Sequence, residues 1–112
     1  METIDKEIKY WCGTSWHGDY IISTVEELRT IFGPPDLVGG KTDKVQFEWL
    51  LDLEVSNSLG TSARITLYDW KEYRKYDEDE VIRFHIGGFS GRITELAKRE
   101  IEKLIEIFTN ND

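Results

Sequence analysis

From Lys44 to Glu54 apolar and polar residues alternate: Val45, Phe47, Trp49, Leu51 and Leu53 fall on one side, and Lys44, Gln46, Glu48, Leu50, Asp52 and Glu54 on the other. A period of two places successive side chains on opposite faces of a strand, so this run must cover a core with one face and meet other surroundings with the second. Two more runs repeat the pattern. In ARITLYDWK, Ala63, Ile65 and Leu67 point one way and Arg64, Thr66, Tyr68 and Trp70 the other; in VIRFHIGG, Ile82, Phe84 and Ile86 are inward while Arg83 and His85 are outward. The turn-rich stretch GTSWHGDYII, from Gly13 to Ile22, leads into a further strand.

Two helices complete the pattern. Ser23 and Thr24 stand three residues before Glu26 and Glu27, the spacing of a capping box, and Val25, Leu28, Ile31 and Phe32 form one stripe before Gly33-Pro34-Pro35 stops the helix. The spacing predicts a helix over 24–32. A second helix follows Ser90, with Ile93, Leu96, Ala97, Ile101, Leu104, Ile105 and Phe108 three or four apart and charged residues opposite. The N-terminal residues around Ile4, Ile8 and Tyr10 fit a short helix or an edge strand. DLVGGKTD, from Asp36 to Asp43, reads as a loop, VSNSLGTS with Asn57 and Gly60 as a turn, and EYRKYDEDE as a solvated connection. The links between the later strands are short, about eight or nine residues, which favours an antiparallel meander. The expected architecture is a single α+β domain over 1–112: a two-layer sandwich with a mainly antiparallel sheet of about four strands, ordered β-α-β-β-β-α, and both helices on one face.

A formal charge of −8 disfavours binding to phosphate backbones or anionic lipid surfaces. No direct nucleic-acid partner is expected. No stretch of 18 apolar residues spans a membrane and METIDKEIKYW lacks the form of a signal peptide, so the expected compartment is the cytoplasm. Cys12 is the single cysteine, which leaves no internal disulfide framework.

If the helices take the inner face, the outer one carries Glu48, Arg64, Tyr68, Trp70, Arg83 and His85, with Lys44 and Lys71 beside them. Solubility alone calls for Lys, Glu, Thr and Ser there. Aromatic and arginine side chains are instead the types that concentrate binding energy, which makes these eight the candidate ligand or partner residues. The alternative is that Tyr10, Trp11, Trp16 and Tyr20 fold across this face and bury Tyr68 and Trp70 as a minor core.

Catalytic readings find little support. Cys12 or a serine would have to work with His17 or His85, and no nucleophile elbow frames them. Cys12, His17, Asp19 and His85 fall at no recognised zinc spacing, so neither metal nor cofactor is expected. Gly39-Gly40-Lys41-Thr42 imitates the end of a phosphate loop, but the first glycine of that motif would fall on Pro35 and a strand follows. Gly87-Gly88 before a helix suits an anion or, more simply, a tight strand-to-helix turn. The chain reads as a non-enzyme.

The order Gly13-Thr14-Ser15, Gly18, Tyr20-Ile21, then Phe32-Gly33-Pro35, Asp43-Lys44-Val45, Glu48-Trp49, Thr66, Tyr68-Asp69-Trp70-Lys71 and His85-Ile86-Gly87-Gly88 resembles a group of small proteins encoded by bacteriophages and prophages. The likeness runs over residues 13–90 and departs in the charged stretch Glu72 to Glu80. It implies a phage accessory role inside an infected bacterium and brings no activity with it. The expected function is binding of a host protein, such as a defence or nucleic-acid-handling enzyme, with the acidic run Asp77, Glu78, Asp79 and Glu80 complementing a basic groove. A second expectation is a nucleotide-like small molecule, stacked on Tyr68 and Trp70 with Arg64, Arg83, His85 and Lys44 on its phosphates or ribose. A third is a structural or homodimeric component joined through the open face.

Overall fold

The computed structural model describes residues 8–40, 42–55 and 62–110. The readings of Ile4 and Lys41 and of the turn at Asn57 and Gly60 lie outside the described residues. A 3-10 turn, Ile8–Trp11, precedes β1 (Ser15–Ser23), α1 (Val25–Phe32), β2 (Leu37–Val38), β3 (Phe47–Glu54), β4 (Ser62–Tyr68), β5 (Ile82–Gly88) and α2 (Gly91–Asn110). Every strand pairing is antiparallel, in the order β1-β5-β4-β3-β2. The meander β3-β4-β5 is as expected. The sheet has five strands rather than about four, because part of the expected loop after α1 lies along the edge of β3. There Asp36 N donates to the Glu48 carbonyl at 2.9 Å, Gly39 N donates to the Gln46 carbonyl at 2.8 Å, and the Asp36 carboxylate accepts from Leu50 N at 2.7 Å. Two paired residues are too few to show a period.

The inner face is built as the alternation requires. Trp49, Leu51, Ala63, Ile65, Leu67, Ile82, Phe84 and Ile86 are buried in one cluster with Val25 and Leu28 of α1 and Ala97 and Ile101 of α2. Both helices thus occupy the same side. Thr24 caps α1 by accepting from Glu27 N at 3.0 Å, and Trp49 Nε1 donates to the Gly33 carbonyl at 2.9 Å, tying the end of α1 to β3. Ser90 caps α2, accepting from Ile93 N at 3.2 Å. Thr94 then donates to Asp19 at 2.6 Å and fastens that helix to β1. Gly88 is a steric necessity: a Cβ there would stand 2.7 Å from Thr94 Cγ2. Among the described residues no helix is long and apolar enough to cross a membrane.

The connection after β4 is not wholly solvated. Tyr76 turns inward, meets Phe47 edge-on at 5.9 Å between ring centres and donates to the buried Asp69 carboxylate at 2.8 Å. The same carboxylate accepts Gln46 N at 2.8 Å and Phe47 N at 3.0 Å. Asp69 therefore joins three segments in one hub.

Candidate binding face on the open side of the sheet

The strand register writes two rows across the face opposite the helices. In one, Glu48 lies opposite Tyr68, Tyr68 opposite His85, and His85 opposite Tyr20. In the other, Leu50 lies opposite Thr66, Thr66 opposite Gly87, and Gly87 opposite Trp16. The glycine makes the second row flat. A Cβ on Gly87 would come within 2.6 Å of Thr66 Oγ1 and 3.5 Å of the Tyr68 ring.

Four rings assemble over these rows. Trp16 stacks on His85 with centres 4.6 Å apart and planes 15° apart, and Trp70 lies on the His85 ring at 6.3 Å and 26°. Tyr68 meets His85 edge-on at 5.6 Å and Trp70 edge-on at 6.1 Å. Such arrangements contribute about 0.5–1.5 kcal/mol per pair beyond area burial. The cluster is nonetheless open, since Trp16 remains 50% and Trp70 39% exposed. Trp16 arrives through an irregularity in β1 between Trp16 and Tyr20, where Gly18 takes φ +103° and Trp16 Nε1 donates to the Asp19 carbonyl at 2.9 Å.

Trp70 lies just past the end of β4, carried by the Asp69 hub. Beyond it Lys71 adopts φ +57°, a left-handed conformation unusual for lysine, while its amide donates to the Lys44 carbonyl at 2.6 Å. Both ammonium groups come to Trp70, with Lys44 Nζ 5.9 Å and Lys71 Nζ 5.6 Å from the ring centre. Glu48 is half-buried between Tyr68 and a cleft of about 540 Å³ whose lining includes Leu37, Asp43, Lys44 and Val45. Burial, then the charges of Asp36 and Asp69, push the Glu48 carboxyl above its ordinary value. Burial and Glu48 raise the Tyr68 phenol in turn. Burial, aided by the Arg83 guanidinium, lowers the His85 imidazole.

Six of the eight candidate side chains, Lys44, Glu48, Tyr68, Trp70, Lys71 and His85, therefore share one site. Arg83 lies two residues from His85 on the same strand and packs over Tyr20 at 4.4 Å. Arg64 is taken up elsewhere on the sheet, 5.1 and 5.5 Å from the rings of Tyr10 and Trp11 and 3.7 Å from Asp52. Trp11 in turn donates to the Leu51 carbonyl at 3.2 Å. The N-terminal turn thus crosses the sheet beside Arg64, and Trp70 stays half-exposed. The acidic run lies apart, against α1 in the helical layer: Glu26 N donates to the Glu78 carbonyl at 2.9 Å, Arg29 pairs with Glu78 at 2.9 Å, and Arg74 pairs with Glu80. Two of its four carboxylates are spent on internal pairs, and Asp77 and Asp79 stay exposed.

Trp16 is the residue that reading along the chain misses as a binding candidate. The sequence suggests a flap there, whereas Trp16 is a strand residue stacked on His85. Its alternation with Ser15 and His17 is too short to show against the two flanking glycines. His17 Nε2 lies 3.1 Å from the Gly88 carbonyl and 3.4 Å from Ser15 Oγ. Cys12 is exposed. Among the described residues no three His, Cys, Asp or Glu side chains are placed to hold a metal ion. Comparison of the chain with protein-family models, with curated proteins and with solved structures found no match.

Proposed function

We propose that this chain is a non-catalytic accessory protein of phage type, working in the host bacterial cytoplasm, that binds a host protein through the open face of its sheet. The observation that carries this reading is the four-ring cluster of Trp16, Tyr68, Trp70 and His85, half-exposed on the side of the sheet that neither helix covers. Rigid aromatic residues that already touch one another lose little side-chain entropy on docking and remove large areas from water, the usual make-up of an interface hot spot. The resemblance of residues 13–90 to small phage proteins supports the setting. A compact binder acts by mass action, so an occupied defence or nucleic-acid-handling enzyme is blocked without chemistry.

The test is capture of host proteins on the tagged chain and on a W16A/W70A variant whose folding is verified by circular dichroism. The expected result is one dominant partner whose affinity falls at least tenfold in the variant. Recovery of the same partner at undiminished affinity refutes the reading. A nucleotide-like ligand is the second reading, favoured by the two ammonium groups at Trp70. Quenching of tryptophan emission by a nucleotide at micromolar concentration would establish it in place of the first.

A further inference from the structure

We infer that the partner presents an acidic segment to this face, with carboxylate side chains seated on Lys44 and Lys71 and an apolar neighbour against the exposed edges of Trp16 and Trp70. The inference rests on the reading of the open face as a docking surface.

Charge placement is the first ground. The chain carries a net −8, and several of its cations are matched internally: Arg29 with Glu78, Arg74 with Glu72 and Glu80, Arg99 with Glu95 and Lys103 with Glu100. Lys44 and Lys71 are exposed and held at Trp70, and neither pairs with a carboxylate among the described residues. Arg83, two residues from His85, is likewise turned to a ring rather than to an acid. Of the β3 carboxylates on this face, Glu48 is half-buried against Tyr68 and Asp52 is taken up by Arg64 at 3.7 Å. A basic partner would meet unpaired cations here, whereas an acidic one completes them.

The second ground is that the two lysines are held as a pair. The hydrogen bond from Lys71 N to the Lys44 carbonyl joins their backbones at 2.6 Å, and it is made with Lys71 in the left-handed region. A non-glycine residue keeps such a conformation only where its surroundings over-determine it, and the contact shown at the Lys71 backbone is this bond to Lys44. Positions set in advance reduce the ordering cost of binding.

Ring spacing leaves no slot for a nucleobase inside the ring cluster. A base inserted between two rings needs them about 7 Å apart, twice the roughly 3.4 Å rise of stacked bases. The Trp16–His85 and His85–Trp70 centres stand at 4.6 and 6.3 Å, so the stack is already filled by His85. What remains is an outer surface flanked by ammonium groups, the form that suits a chain laid across it.

A random 12-residue peptide display, selected on the intact chain, tests this. Enriched peptides are expected to carry net negative charge and at least one large apolar residue, to weaken with salt, and to lose at least tenfold in affinity against both K44E/K71E and W16A/W70A. Both lysines are exposed, so the charge variant keeps its fold, and K44Q/K71Q is expected to give an intermediate loss. Neutral or basic winners overturn the inference. So do acidic winners that ignore K44E/K71E yet need Trp16 and Trp70, an outcome that leaves the docking reading standing. Indifference to both variants, or no enrichment at all, overturns both. Saturable quenching of tryptophan emission by ATP but not by the selected peptides overturns the inference in favour of a nucleotide; inorganic phosphate serves as the control.

Discussion

Replacing Asp69 by alanine tests how the site is held in place. In the native chain this fully buried carboxylate accepts three hydrogen bonds, from Gln46 N, Phe47 N and the Tyr76 hydroxyl. Truncation orphans two backbone donors, each costing about 1–3 kcal/mol, and removes a charge-assisted bond to Tyr76. The expected loss is about 4 kcal/mol, a large share of the roughly 5–15 kcal/mol that stabilises a domain of this size. With an unfolding entropy of about 2.1 cal/mol/K per residue, that loss lowers the melting temperature by roughly 15–20 °C. Thermal melts by circular dichroism measure it directly. The substitution Asp69→Asn, which retains an acceptor for the two amides, is expected to lose less than half as much. An Asp69→Ala melt within about 4 °C of the parent chain, the shift expected of only 1 kcal/mol, refutes the hub, and with it the explanation of how Trp70 is held.

Three further outcomes follow from the packing and the titrating groups. Gly88→Ala forces a methyl to within 2.7 Å of Thr94 Cγ2 between β5 and α2, and such overpacking costs about 1–3 kcal/mol, visible as a lower urea midpoint with an unchanged slope. His85 has its pKa lowered on folding, so its contribution to stability is complete above about pH 6.5 and is lost as pH falls through the lower folded value; H85Q is expected to show a shallower loss between about pH 7 and 5, and equal slopes would refute this. Glu48 runs the other way. Its pKa is raised above 4.5, so its favourable contribution is present below that pH and is lost as pH rises, and E48Q is expected to melt higher than the parent at about pH 7 but not at about pH 4.

Alternation along β3, β4 and β5 was legible because one face of each strand meets a helix and every second residue must then be apolar. That pattern alone placed Tyr68 and His85 on the open side. The ends of both helices were legible for a similar reason: Thr24, Gly33 and Ser90 are residue types that satisfy orphan backbone groups. Features that depend on distant partners were not. Leu37–Val38 becomes a strand only because β3 offers it an edge, and Tyr76 turns inward only because Asp69 is there to accept its hydroxyl. Arg64 looked equivalent to Arg83 by parity, yet Tyr10 and Trp11, more than fifty residues earlier, take it out of the site. The acidic run looked like a free surface because Arg29 and Arg74 could not be assigned to it from spacing.

Partner contact is expected on the open face of the sheet and not on the acidic run. Titrating the isotope-labelled chain with the captured host protein, or with a selected acidic peptide, and following backbone and indole N–H resonances reads this residue by residue. The largest shifts are expected at the indoles of Trp16 and Trp70 and the amides of Lys44, Lys71 and His85. Shifts gathered at residues 77–80 and along α1, with both indoles unmoved, would contradict it.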